Sequence, residues 1–164
     1  MLSLFLFSLT GIAQAQTKVA IINLQRAVLE SSEIKTAQAG LEAKYKPRQQ
    51  AAQKIEQELQ GIQQQLQQGQ GKLAPSAEAD LQARGARRQR ELQRLSDDLQ
   101  ADVERDRNEI LTKSSQKMQA VVKTLAEAKG FDMVVDSQQT VYFKPAIEIT
   151  QDAIAAYNKA YPGQ

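Results

Sequence analysis

The 164-residue chain has no cysteine, no histidine and no tryptophan. Without Cys it has no disulfide, no thiolate nucleophile and no zinc ribbon or iron–sulfur ligand set. Without His it has no Ser-His pair and no imidazole ligand. Aromatics are scarce: four Phe and four Tyr, with none at all between Tyr45 and Phe131. A glycine-rich phosphate loop is missing too, because Gly69 and Gly71 follow no strand and precede no Gly-Lys-Ser/Thr. No catalytic residue, no metal ligand set and no cofactor is therefore expected, and the chain does not read as an enzyme.

What is abundant is Gln (25) and Ala (23), almost a third of the chain. A long aromatic-free stretch of this composition, with spaced Leu and Ile, builds long helices rather than a thick core. The net charge of +2 is unevenly spread: residues 71–96 carry six basic and three acidic groups, while residues 130–164 carry two and four.

Leu2 to Ile12 is a short apolar run, followed by Ala13-Gln14-Ala15. This pattern reads as a secretory signal peptide over 1–15, cleaved after Ala15, and it is too short for a stable membrane anchor. No Lys or Arg precedes it, so a start codon further upstream is expected.

Residues 18–23 form a β-branched run, read as a strand. Asn23 is placed to cap a short helix over 24–30, and Ser31 or Ser32 to cap the next. From Ile34 apolar residues recur in heptads, with Ile55, Leu59, Ile62 and Leu66 the clearest seam. Pro47 interrupts this helix and is a hinge candidate. Gly69, Gly71 and Pro75 mark a turn near 69–76. Periodicity then resumes with eleven-residue spacings that place Leu92, Leu99, Val103 and Ile110 on the opposing seam. Gly130 closes the second helix.

Asp132–Asp136 and Thr140–Lys144 read as two strands of a hairpin around Ser137-Gln138-Gln139. Thr150 reads as the cap of a last helix carrying Ile154, Tyr157 and Tyr161. The fold class is thus α+β, mostly α: a long antiparallel helical hairpin (32–129) projecting from a small β body (16–31 with 130–164). Val19, Ile21, Met133, Val135, Val141, Phe143 and Tyr157 are the expected body core and oligomerisation residues. So small a body, with open strand edges, favours self-association.

Three polar features stand out. Arg84, Arg87, Arg88, Arg90 and Arg94 cluster near the tip, with Glu91 among them. They either attract acidic partners or lipid phosphates or form a solvated face with arm-to-arm pairing. Asp97, Asp98, Asp102, Glu104, Asp106 and Glu109 read as a solvated helix face. The Gln-rich run 49–70 reads as the outer side of a coiled coil. Export, modest charge and absent stacking aromatics argue against nucleic acid as a partner.

The order of motifs resembles the Skp (OmpH-like) family of periplasmic chaperones. The resemblance rests on Lys18-Val-Ala-Ile-Ile-Asn-Leu-Gln-Arg26, Leu29-Glu-Ser-Ser, Tyr45-Lys-Pro-Arg48, Gly130-Phe-Asp-Met-Val-Val-Asp136, Val141-Tyr-Phe and Ile147-Glu-Ile-Thr150. It covers the whole mature chain. It implies a homotrimer whose strands form a barrel-like body and whose three hairpins enclose a cavity. An ATP-independent holdase of unfolded outer-membrane β-barrel proteins in the periplasm follows from it, with weak membrane or lipopolysaccharide contact as a further partner. Glu148 stands where the family often has Asp, and the net charge is below that of its strongly basic members. A structural coiled-coil adaptor in an envelope assembly is the alternative expectation.

Overall fold

The structure, a computed structural model, describes residues 16–163. The expected signal peptide and its cleavage at Ala15 lie outside the described residues. Strand β1 (Val19–Ile22) leads into α1 (Leu24–Leu29), then α2 (Ser32–Gln68) and α3 (Pro75–Lys129). Strand β2 (Met133–Asp136) and two short 3-10 turns, Ser137–Gln139 and Pro145–Ile147, lead to α4 (Thr150–Ala160).

The local chemistry accounts for each boundary. Asn23 accepts a hydrogen bond from the Arg26 amide at 2.8 Å, capping α1. Ser31 caps α2, its side chain accepting from the Ile34 amide. Pro75 opens α3 at its first turn, where its missing N–H costs nothing. The turn between the long helices needs a left-handed residue, supplied by Gly71 at φ 74°. Gly130, at φ 66°, ends α3 in the same conformation.

Helices α2 and α3 have 37 and 55 residues, so at about 1.5 Å per residue they reach about 55 and about 80 Å. They run antiparallel. Because α3 is longer, its last turns pass the start of α2 and enter the body. There Met118 is fully buried, with Val121, Val122 and Leu125 packed around it. The core joins Ala20 and Ile22 of β1, Val28 of α1, Ile34 of α2, Met118 of α3 and Ala153, Ile154 and Tyr157 of α4.

The sheet differs from the expected hairpin. β2 pairs in parallel with β1, in the register Val19↔Met133 to Ile22↔Asp136. Ile21 also bridges to Glu148, and the Ile149 amide donates to the Ile21 carbonyl at 2.8 Å. Residues 140–144 form no strand. Ser137-Gln138-Gln139 has no glycine or asparagine to take up the left-handed backbone of a tight hairpin turn. Instead Asp136 caps a 3-10 turn through its side chain, accepting from the Gln138 amide, and Thr140 donates back to the Asp136 carbonyl. The chain leaves the sheet at that turn. Parallel pairing is what a long crossover between two strands permits, and here the whole hairpin is the crossover.

Thr150 is also placed differently. It lies inside α4, whose N-cap is Ile149. Its hydroxyl accepts from the Asn23 amide and donates to Glu148, tying α4 to the end of β1.

Met118 is the most enclosed apolar side chain that α3 contributes to the body. Met118→Ala is expected to destabilise the chain by about 2–5 kcal/mol, read as a lowered urea midpoint in circular dichroism. An unchanged midpoint would contradict this placement of the core.

Candidate functional site

The two-helix arm is the largest feature the body supports, and its surface changes character along its length. At the foot, Glu33 in the first turn of α2 faces α3 and α4. It accepts hydrogen bonds from the Lys117 ammonium at 2.6 Å and from the Tyr157 hydroxyl. Desolvation works to raise the Glu33 pKa, but these donors outweigh it and hold it below the ordinary carboxylate value. Tyr157 is shifted the other way: burial first, then the neighbouring carboxylate, pushes its phenol well up. The Ser32 amide donates to Asn158 at 2.8 Å, a second tie between α2 and α4.

About three turns above this lies a polar layer across the seam. Lys44 and Tyr45 both donate to Asp106, and Arg48 donates to Asp102 at 2.6 Å. Arg105 braces both acids from their own helix. Asp106 is held at a pKa of about 2, chiefly by the Lys44 and Tyr45 hydrogen bonds. Asp102 and Asp106 are therefore not part of a solvated face, as their sequence context suggested; they pair across the arm. The signal was present: Arg48 and Tyr45 occupy heptad seam positions, where a cation calls for an acid opposite.

Above the layer the seam is apolar again. Ile55 and Ile62 are buried and Leu59, Leu66, Leu92 and Leu99 half-buried; Val103, within the layer, and Ile110, below it, are half-buried too. Ile62 packs over Gly85, where an added Cβ would lie 3.5 Å from its methyl.

The arginine cluster divides. Arg88 pairs across the arm with Glu58 at 2.9 Å and with Glu91 at 2.7 Å. Arg84, Arg87, Arg90 and Arg94 are exposed. Arg84 and Arg87, with Arg88, Glu58, Gln65 and Ile62, line a cleft of about 550 Å³ between the arms. The tip thus carries free guanidinium groups beside one that is structurally committed.

The body residues expected from sequence also divide. Ile21 and Tyr157 are buried; Val19, Val135 and Phe143 are partly so. Met133 and Val141 are not in the core of the single chain. Met133 is 51% exposed, Val141 is fully exposed, and Tyr142 beside it is 78% exposed. Pro47 is exposed and lies within an uninterrupted α2, next to the polar layer.

Comparison with known proteins adds to this geometry. The family described as outer membrane protein (OmpH-like) matches residues 18–157. A chaperone protein Skp from Pectobacterium atrosepticum is 28% identical over 145 residues, covering 86% of this chain and 86% of that protein. A Skp-like protein from Pseudomonas aeruginosa is 25% identical over 147 residues, covering 90% and 88%. A solved structure of an OmpH-like outer membrane chaperone from Caulobacter crescentus superposes with a TM-score of 0.76 at 20% identity, covering 92% of this chain and 89% of that one. At that identity the likeness speaks for the fold.

Three carboxylates tie elements together while ionised, Glu33, Asp102 and Asp106, and all have depressed pKa values. Their contribution to stability is complete above about pH 4.5 and is lost as pH falls towards 2. Thermal unfolding of the wild type is expected to weaken steadily over that window. Asp106→Asn should be less stable near neutral pH, with the gap to wild type closing towards pH 2. Curves that stay parallel down to pH 2 would contradict the pairing.

Proposed function

The chain belongs to the OmpH-like outer membrane protein family, and on that premise we propose that it is an ATP-independent holdase of the periplasm. In this reading it is exported by a signal peptide cleaved after Ala15. It binds unfolded outer-membrane β-barrel proteins between its arms and keeps them from aggregating. The observation that carries the reading is the combination of a small body with a long paired arm whose seam is only partly buried over most of its length and whose surface is polar. Such an arm offers many weak, exchangeable contacts without imposing one structure on its client. Several arms acting together make the sum tight while each contact stays weak. Release needs no fuel: insertion into the membrane removes the unfolded species by mass action.

Several arms require several chains, and a homotrimer is part of the proposal. A two-stranded sheet is marginal alone. Exposed Met133, Val141 and Tyr142 beside it are the candidates for subunit contacts, with Val19, Ile21, Val135, Phe143 and Tyr157 behind them. Pro47 is the proposed point of arm flexing. Pro47 leaves the Ala43 carbonyl without its helical donor. The free arginines Arg84, Arg87, Arg90 and Arg94 are proposed to attract acidic clients, with weak contact to membrane or lipopolysaccharide phosphates as their second use.

The direct test dilutes an unfolded outer-membrane barrel protein out of urea with and without this protein. Suppression of turbidity at about one trimer per client is expected. Full aggregation in its presence would favour the structural adaptor and end the holdase reading.

The charge proposal has its own test. Replacing Arg84, Arg87, Arg90 and Arg94 with Gln, and leaving the structural Arg88, should weaken client binding and flatten its salt dependence. Unchanged affinity across salt would return these arginines to a plain solvated face.

A further inference from the structure

The first strand of the body is clasped from Lys18 onward. The Lys18 amide donates to the Asp132 carboxylate at 2.7 Å, and the Lys18 carbonyl accepts from the Asp132 amide at 2.8 Å. Gln16 and Thr17 lie before that clasp. Both are exposed. Neither makes a hydrogen bond or an ion pair among the described residues. The two residues form an overhang in solvent, and the chain is fixed immediately after them. The Asp132 carboxylate, the acid of the clasp, is turned to the Lys18 amide.

In the export reading, cleavage after Ala15 makes Gln16 the first residue of the exported chain. Before cleavage the Gln16 nitrogen is a peptide amide and is no nucleophile. Cleavage converts it to a primary amine. Such α-amino groups have a pKa of about 7.7–8.0, so a useful fraction is unprotonated near neutral pH. The new amine is tethered to its own side-chain carbonyl carbon, Cδ, through Cα, Cβ and Cγ. Attack there closes a small unstrained lactam, and the tether supplies the proximity that makes intramolecular reactions fast. The N–Cδ bond forms and the Cδ–Nε2 bond breaks. The side-chain nitrogen leaves as ammonia, carrying the proton that the amine gives up. No oxidant, metal or co-reactant enters. An amine held in an ion pair, or a carboxamide held in a hydrogen bond, would resist this closure. The exposed overhang holds the Gln16 carboxamide in neither kind of contact.

We propose that Gln16 is a modification site, and that the exported chain closes its N-terminus there as pyroglutamate. The inference rests on the export reading and its cleavage at Ala15, and is independent of client binding. Closure removes the terminal positive charge beside the Lys18–Asp132 clasp. It also leaves an aminopeptidase no free amine to grip at the one end of the body that projects into solvent. Because the ring lies outside the clasp, the fold is unchanged by it.

The test is the mass of the protein purified from the periplasm of cells that express the chain with its own leader. A chain of residues 16–164 is expected, lighter than its unmodified mass by one ammonia, about 17 Da. Fragmentation of the peptide 16–30, released by cleavage after Glu30, should place the loss on Gln16. Digestion with pyroglutamyl aminopeptidase should then expose Thr17 as the first residue. Gln16→Ser cannot close and should show its full mass, with the same circular dichroism and unfolding midpoint as wild type. A chain that starts at Gln16 with its full mass would overturn the inference and leave the cleavage reading standing. So would a loss of ammonia that persists in Gln16→Ser, which marks another residue. A chain with a different first residue, or one that keeps its leader, would overturn the cleavage reading and the inference together.

Discussion

One carboxylate at the foot of the arm, Glu33, ties three helices together. It stands in the first turn of α2, receives Lys117 from α3 and receives the Tyr157 hydroxyl from α4. Tyr157 is itself fully buried, so its ring belongs to the body core while its hydroxyl reaches the arm. Everything above this point is a long lever on a small base. A tie that couples the lever to the core through one buried ring therefore determines whether the arm has a defined direction. The Ser32–Asn158 hydrogen bond repeats the coupling, and Asn23–Thr150 fixes α4 to the end of β1 beneath it.

The arm then alternates in kind. An ionic node at the foot is followed by a polar layer at Tyr45 and Asp106, and that by an apolar seam through Ile55 and Ile62. Polar layers add little net stability, because desolvation offsets much of the attraction. Their best-attested use is to set register. A Lys44–Asp106 and Arg48–Asp102 layer can be satisfied only in one alignment of α2 against α3. The narrow seam above it, only partly buried over most of its length, leaves the two helices paired but with much of their surface free. That free surface is what the proposed holdase reading requires.

Much of this was legible from residue spacing. The cap at Asn23, the closing glycine at 130, the turn near 71 and the heptad positions of Ile55 and Ile62 all follow from local rules, and the structure places them accordingly; of the two serines offered for the next cap it takes Ser31. The parts that were misread are those where a distant partner outweighs local preference. Val141-Tyr-Phe has strand-forming residues, yet it pairs with nothing among the described residues, because the 3-10 turn at Ser137 directs the chain away from β2. Thr150 reads as a cap but serves as a tie to Asn23. Asp102 and Asp106 read as solvated because their partners lie 54 and 61 or more residues earlier. The division of the arginines was equally hidden: only the position of Glu58 on the facing helix separates Arg88 from its neighbours.

The central claim is that several arms built this way hold one unfolded client between them. Light scattering coupled to size separation measures that directly, as the mass of the protein alone and with an unfolded outer-membrane barrel protein. The account predicts a trimer by itself and, with client, a single species heavier by one barrel chain. A mass unchanged by client, or large and heterogeneous aggregates in place of a defined complex, would contradict it.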